Sequence, residues 1–189
     1  FPWAKFRRTK GAIKLHALLD HDGHIPSFVS ITTGSTHDIQ EGRKLVLEPD
    51  SIMAFDRGYI DYCWFYQIHL QRAFFVTRLK RGATFRVIER RPPRPLTGVT
   101  SDQTIRIVGS KADSIPIALR RIGYIDPATG HRYFFLTNHF GLSAKTIAEI
   151  YRARWQVELF FKWIKQHLRI KTFIGTSRNA VMSHVYVAM

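Results

Sequence analysis

Ser51-Ile-Met-Ala-Phe55 is a short continuous apolar run that delivers a carboxylate, Asp56, at its end, and its reading decides the fold. A run of that length and character reads as a buried strand. Arg57-Gly58-Tyr59 then turns the chain, Asp61 is placed to cap a helix through about Leu70, and Ala73-Phe-Phe-Val-Thr-Arg-Leu79 returns as a second strand. A strand, a helix and a strand in this order predict an α/β unit with Asp56 at the C-terminal end of its first strand.

Upstream, Ile13, Leu15, Ala17 and Leu19 alternate with Lys14, His16 and Leu18, Asp22-Gly23 supplies turn chemistry, and Ile25 to Thr33 is a second β-rich run. That pattern predicts a hairpin. Thr36-His37-Asp38 offers caps for a short helix through Leu47, with Glu41 three residues after Asp38 as in a capping box, and Pro49 closes it. Downstream, the stretches 84–90, 104–108, 115–125 and 132–136 are rich in Thr, Val, Ile and Phe and are separated by Pro- and Gly-bearing loops, so 81–137 reads as an all-β insertion. Arg90-Arg-Pro-Pro-Arg-Pro95 reads as an exposed basic excursion within it. Ser143 is placed to cap one long helix running to about Leu168.

The chain's 189 residues suit one domain, and 45% hydrophobic with 13% aromatic content allows a core and argues against disorder. Lys and Arg number 29 against 14 Asp and Glu, a net charge of +15 that demands a polyanionic partner, with nucleic acid the leading candidate. The segments 51–100 and 151–189 hold most of that surplus, and 72–94 alone carries eight basic residues against Glu89. Such a density is typical of segments that contact phosphate.

No apolar run reaches the roughly 18 residues of a membrane span, and no signal segment opens the chain. The single cysteine, Cys63, excludes an internal disulfide and a cysteine-rich zinc site, suits a reducing cytoplasm, and reads as a packing residue. The chain starts at Phe1 and stops at Met189 inside an apolar stretch, so it reads as a piece of a larger protein.

On the long helix, Ile150, Val157, Phe160, Phe161, Ile164 and Leu168 fall in one arc of about 100° at 100° per residue. Tyr151, Arg154, Glu158 and Lys165 share an arc of about 60° beside it. The spacing Tyr151-x2-Arg154-x3-Glu158-x6-Lys165 resembles the Tyr-Arg-Glu-Lys signature of DDE insertion-sequence transposases, the bacterial cut-and-paste group with an RNase H-like core. Lys10-Gly-Ala-Ile-Lys-Leu-His16, Asp56-Arg-Gly-Tyr59 and Leu136-Thr-Asn138 are similar to segments of the same family, and the likeness covers nearly the whole chain.

The resemblance implies an α/β (α+β) fold: an RNase H-like mixed sheet with flanking helices and an all-β insertion before the last long helix. It divides the chain into core strands and helices at 1–80, the insertion at 81–137 and a C-terminal catalytic helix region at 138–189. It makes Asp56 the second and Glu158 the third catalytic carboxylate, both ligands of Mg²⁺ or Mn²⁺, since in-line phosphodiester displacement is served by two such ions. Hard oxygen ligands suit them. The resemblance makes Tyr151, Arg154 and Lys165 DNA-binding residues, Arg and Lys as charge partners of phosphate; Arg57, which either meets phosphate or braces the carboxylates, and Lys162 are read beside them as DNA-binding residues.

The implied partners are the insertion sequence's ends and target DNA, with a homodimer in the synaptic complex. The implied place of work is the bacterial cytoplasm, at the nucleoid when DNA is bound. The family's first aspartate lies upstream of a segment like Phe1–Arg8, and Asp20 and Asp22, which flank a hairpin turn, are poor substitutes. The 189 residues alone are therefore expected to be inactive. A catalytically dead, basic DNA-binding remnant is the alternative.

Other residues have simpler readings. His16, His21 and His24 with Asp20 and Asp22 suggest a metal cluster, but a hairpin scatters them across faces and a turn explains the aspartates. Asp38 beside His37 is best read as a helix cap. Trp155 and Trp163 are read as core rather than base-stacking residues.

Overall fold

The computed structural model describes residues 5–7, 10–21, 25–167, 175 and 177–187. In chain order the elements are β1 (Lys5–Arg7), β2 (Lys10–Gly11), β3 (Ile13–Leu19), β4 (Pro26–Thr33), α1 (Asp38–Gly42), β5 (Ile52–Ala54), α2 (Tyr62–Leu70), β6 (Phe74–Arg78), β7 (Phe85–Arg91), β8 (Val99–Ile107), β9 (Leu119–Ile125), β10 (Arg132–Thr137), α3 (Ala144–Ala153), α4 (Trp155–His167) and α5 (Arg178–Val187). They fall into two compact bodies, one made of Gly42–Arg154 and the other of the segments on either side of it.

The Gly42–Arg154 body is built on a six-stranded sheet in the order β5-β6-β10-β9-β8-β7. β5 and β6 are parallel and every other neighbouring pair is antiparallel. The parallel pair is joined by α2, whose first turn is capped by Asp61: its Oδ1 accepts the Trp64 N–H at 2.8 Å.

Alternation along β6 assigns the faces. Phe75 stacks on Phe65 of α2 at 4.4 Å between ring centroids. Val76, one residue on, belongs to the opposite face, in a core with Ile122, Phe135 and the α3 residues Ile147, Ala148 and Tyr151. So α2 and α3 cover opposite faces of the sheet. Phe65, Ile68, Phe75 and Ile147 are fully buried, each contributing about 1.5–3 kcal/mol over an exposed position. Asn138 continues the β10–β6 pairing past Thr137 with its side chain: its Oδ1 accepts the Phe75 N–H at 2.9 Å and its Nδ2 donates to the Ala73 carbonyl at 3.0 Å.

The expected strands of 81–137 are present, but they extend the sheet begun by β5 and β6. Two boundaries differ from expectation. β8 starts earlier, at Val99, and β9 starts at Leu119 rather than Ile115, because Pro116 has no N–H to give to a ladder and the chain there is leaving the 3-10 turn Ala112–Ser114. Arg90 and the Pro92–Leu96 loop are exposed, as expected of a basic excursion.

The other body contains the predicted hairpin, β3 and β4 antiparallel with Lys14 opposite Thr32 and His16 opposite Ser30. His16 is buried and its Nε2 lies 2.9 Å from Thr32 Oγ1. The helix expected to reach Leu47 ends at Gly42, and Asp38 is not its cap. Asp38 is the first helical residue and its carboxylate accepts from Lys14 Nζ at 3.0 Å. Glu41 is buried and accepts the Ser30 hydroxyl at 2.6 Å rather than closing a capping box. Among the described residues no three His, Cys, Asp or Glu gather as a metal cluster, while His24 and Asp22 lie outside the described residues.

Ile164 of α4 and Val181 and Val185 of α5 are buried, and α4 packs on β3. The one long helix predicted from Ser143 is two. Ser143 caps it as expected, its Oγ accepting the Thr146 N–H at 3.0 Å, but at Arg154 the ladder tightens to an i to i−3 bond, Arg154 N–H to the Tyr151 carbonyl at 3.2 Å. A single straight-helix projection therefore does not carry across that residue.

Trp155 and Trp163 also depart from the reading as core: they are 56% and 48% exposed, because the buried arc of α4 is set by Ile164 with Val157, Phe160 and Phe161 half-buried. Cys63 is exposed on α2 rather than packed. The mixed α+β architecture, a six-stranded mixed sheet with flanking helices, is consistent with an RNase H-like fold.

Candidate active site

Asp56 follows β5 in extended backbone (φ −72°, ψ 164°) and caps the 3-10 turn Arg57–Tyr59, its Oδ1 accepting the Gly58 N–H at 3.1 Å. Its face follows from its neighbour. Phe55 packs against Trp64, Phe65 and Phe75 on the α2 side, with centroids 4.8–6.1 Å apart, so alternation turns Asp56 toward the α3 face. The β5–β6 register pairs Ala54 with Val76. Counting two residues past that last pair, from the end of β5 and along β6, puts Asp56 level with Arg78.

The same face carries a run of aromatic rings. Tyr133 stacks on Phe135 at 6.0 Å, and Phe135 meets Tyr151 at 5.1 Å. Guanidiniums lie over both ends: Arg78 over Tyr133 at 4.8 Å and Arg154 over Tyr151 at 5.4 Å. These contacts hold the two cations where the packed rings put them.

Burial lifts the Tyr151 phenol above its ordinary pKa; Arg154 pulls it back, the Asp56 carboxylate lifts it, and Arg78 opposes that, with the balance upward. Tyr151 is therefore a hydrogen-bond donor at neutral pH. The mutual influence also shows that Asp56, Arg78, Tyr151 and Arg154 share one neighbourhood. Arg57, exposed in the turn, adds a further cation next to Asp56 in the chain.

Chemically this is one exposed carboxylate among arginines and a phenol donor. The carboxylate keeps Oδ2 for a cation, and arginines suit phosphate oxygens. Mg²⁺ commonly takes only one or two carboxylates, with water and substrate phosphates completing its shell. The donor set thus fits a divalent ion held partly by substrate. The location, beyond the carboxyl ends of parallel strands, is where open α/β sheets place ligands.

The structure brings together Asp56, Arg57, Tyr151 and Arg154 of the residues expected from the sequence. Glu158, Lys162 and Lys165 belong to the other body, where all three are exposed on α4. At 100° per residue they share an arc of about 60° there. Arg78 escaped the sequence reading as a site residue, being one of eight basic residues in 72–94. The β5–β6 register, which the sequence does not state, is the signal that singles it out.

The loop leading into α3 is tied down by Arg120. Its Nε and Nη2 donate to the two oxygens of Asp102 at 2.9 and 2.6 Å, and its Nη1 donates to the Leu142 carbonyl at 2.6 Å. In the same loop His139 Nδ1 accepts the N–H groups of Gly141 and Leu142 at 3.1 and 3.2 Å, so that nitrogen must be unprotonated. Burial first, then Arg120, lowers the His139 pKa. A depressed histidine leaves the unfolded chain binding more protons in the window between the two pKa values, so its contribution is present above about 6.5 and is lost as pH falls through the folded value. Thermal melts should show stability decreasing below about pH 6.5, with a shallower decrease in His139→Ala.

The sheet and its flanking helices are those of a mixed α+β protein consistent with an RNase H-like fold, and they carry an exposed carboxylate among arginines. Residues 3–189 match the family described as Transposase DDE domain, and the chain belongs to that family. It is 37% identical over 191 residues to y4zB of Sinorhizobium fredii, 30% identical over 189 residues to a protein of Geobacillus stearothermophilus, and 22% identical over 187 residues to one of Synechocystis. Each carries the word transposase in its name, the latter two for insertion sequence elements IS5377 and IS4SA. The alignments cover 94–99% of this chain and 49–53% of those proteins. The chain therefore spans about half the length of the curated relatives it matches.

Proposed function

We propose that this chain is part of the catalytic domain of an insertion-sequence transposase of the Tyr-Arg-Glu-Lys signature group, cutting DNA at element ends and joining them to a target. The observation that carries the reading is Asp56 standing at the end of β5 on one face with Arg78, Tyr151 and Arg154. Asp56 and Glu158 are the metal carboxylates in this proposal, with Mg²⁺ or Mn²⁺ as the ion. When bound, the metal supplies the positive charge that stabilises the attacking and leaving oxygens.

The chain's own residues do the rest. Tyr151 donates its hydroxyl proton in a hydrogen bond to a phosphate oxygen, Arg154 and Arg78 neutralise phosphate charge, and Arg57 holds the strand next to Asp56. Lys162 and Lys165 contact the DNA backbone from α4, on the arc they share with Glu158. A further carboxylate completes the metal site in this proposal.

The test compares the full-length protein with its Glu158→Gln variant on DNA bearing the element ends. The substitution should lower metal-dependent nicking by about 10³-fold, on the order of 4 kcal/mol of transition-state stabilisation, while salt-sensitive DNA binding persists. An unsubstituted full-length protein that binds the ends without ever cutting them would favour the inactive remnant.

A further inference from the structure

A second cationic site lies on the Gly42–Arg154 body, in a cavity of about 450 Å³ between the turn joining β6 to β7 and the loop joining β8 to β9. That volume is in the range of ligand clefts. Lys80 and Arg81 enter it from the first connection, Lys111 from the second, and Thr84 and Ser110 add hydroxyls. All three cations are exposed, and none makes an ion pair among the described residues. The lining acid, Asp61, is already engaged: Oδ1 accepts from Trp64 N–H and Oδ2 from Arg43 at 2.7 Å. Three uncompensated cations from two separate connections thus converge on one concave space.

We propose that this cavity binds a backbone phosphate of the DNA strand that runs past Asp56. The proposal rests on the transposase reading above and names where the strand continues. Asp61 on the cavity wall is five residues from Asp56, a span of at most about 17 Å for extended chain. That is about five nucleotide rises along a duplex. A phosphodiester a few nucleotides from the reacting one meets the cations here, fixing the strand's path without contributing to bond breaking. Lys and Arg contacts of this kind add affinity and salt dependence but no sequence preference.

Cys63, the chain's only cysteine, is exposed and lines the same cavity, which gives a readout independent of catalysis. Alkylation of Cys63 in the 189-residue chain is followed in EDTA, with and without a 20-base-pair duplex. The duplex should slow alkylation about five-fold at low salt and lose that effect at high salt. Inorganic phosphate at matched phosphate concentration should leave the rate unchanged. Lys80→Gln/Arg81→Gln/Lys111→Gln should lower the slope of log affinity against log salt by about 1, the count for one neutralised phosphate, and Lys111→Gln alone by a smaller amount.

Unprotected Cys63 in a chain saturated with duplex, or an unchanged slope in both variants, would overturn the proposal. Equal protection by inorganic phosphate would overturn it too, in favour of a small-anion pocket. Those failures leave Asp56-dependent cleavage intact. Conversely, protection by a protein whose cleavage ignores Asp56 sinks the transposase chemistry and leaves the pocket standing as a DNA-binding site.

Discussion

Asp56→Asn in the full-length protein is expected to lower metal-dependent DNA cleavage by about 10³-fold or more, while DNA binding in the absence of metal is unchanged or tighter. The two halves of this result have separate causes. Removing the carboxylate charge costs the metal a hard anionic ligand, and a bound metal's charge stabilisation is worth several kcal/mol, each 1.36 kcal/mol being tenfold in rate. The same removal leaves Arg57, Arg78 and Arg154 around a neutral amide, so phosphate is repelled less. The change is nearly isosteric, and the Asn carbonyl can still accept the Gly58 N–H that Asp56 accepts at 3.1 Å. The turn should therefore survive. Cleavage rates and filter-binding affinities, measured on the same DNA, check both halves.

The second large effect is on stability. Arg120 and Asp102 are 5% and 6% exposed and form a two-bond pair at 2.6 and 2.9 Å. Arg120→Ala removes one charge from a buried pair and also strips the Leu142 carbonyl of its donor. Breaking such a pair typically costs about 3–5 kcal/mol, much of it from the charge left behind. Arg91 also donates to Asp102 at 3.2 Å, so the remaining carboxylate keeps one partner, which places the expected loss toward the lower end.

Because Arg120 holds the loop that starts α3, and α3 ends on Tyr151 and Arg154, the variant should also weaken DNA binding. Urea unfolding of the 189-residue chain gives the stability change. Replacing both partners, Arg120→Met with Asp102→Leu, should cost less than Arg120→Ala alone, since no unpaired buried charge remains.

Much of the fold was legible because local chemistry and tertiary packing agreed. The β5-α2-β6 unit follows from a short apolar run, an Asp61 cap and a second apolar run, and the β3–β4 pairing from alternation. Where they disagreed, packing won. Asp38 has the right residue type and spacing for a cap, yet Lys14 on the neighbouring hairpin takes its carboxylate. The 3.6-residue period is continuous from Ile150 to Ile164, but periodicity does not register the tightened turn at Arg154. Trp155 and Trp163 were assigned to the core by residue type, whereas the arc of Ile164 leaves them outside it.

The site was half legible for a related reason. Asp56, Tyr151 and Arg154 sit at positions that spacing and strand ends mark out. Arg78 gains its role only from strand register, and register is a long-range property that no local pattern carries.

The identity of Asp56 as a metal ligand is tested most directly by a metal exchange in the full-length protein. Asp56→Cys replaces a hard oxygen with a softer sulfur, which Mg²⁺ binds poorly and Mn²⁺ binds better. Cleavage should be absent in Mg²⁺ and partly restored in Mn²⁺, with Asp56→Ala inactive in both. Cleavage by Asp56→Cys and Asp56→Ala in Mg²⁺ at the unsubstituted rate would contradict the assignment.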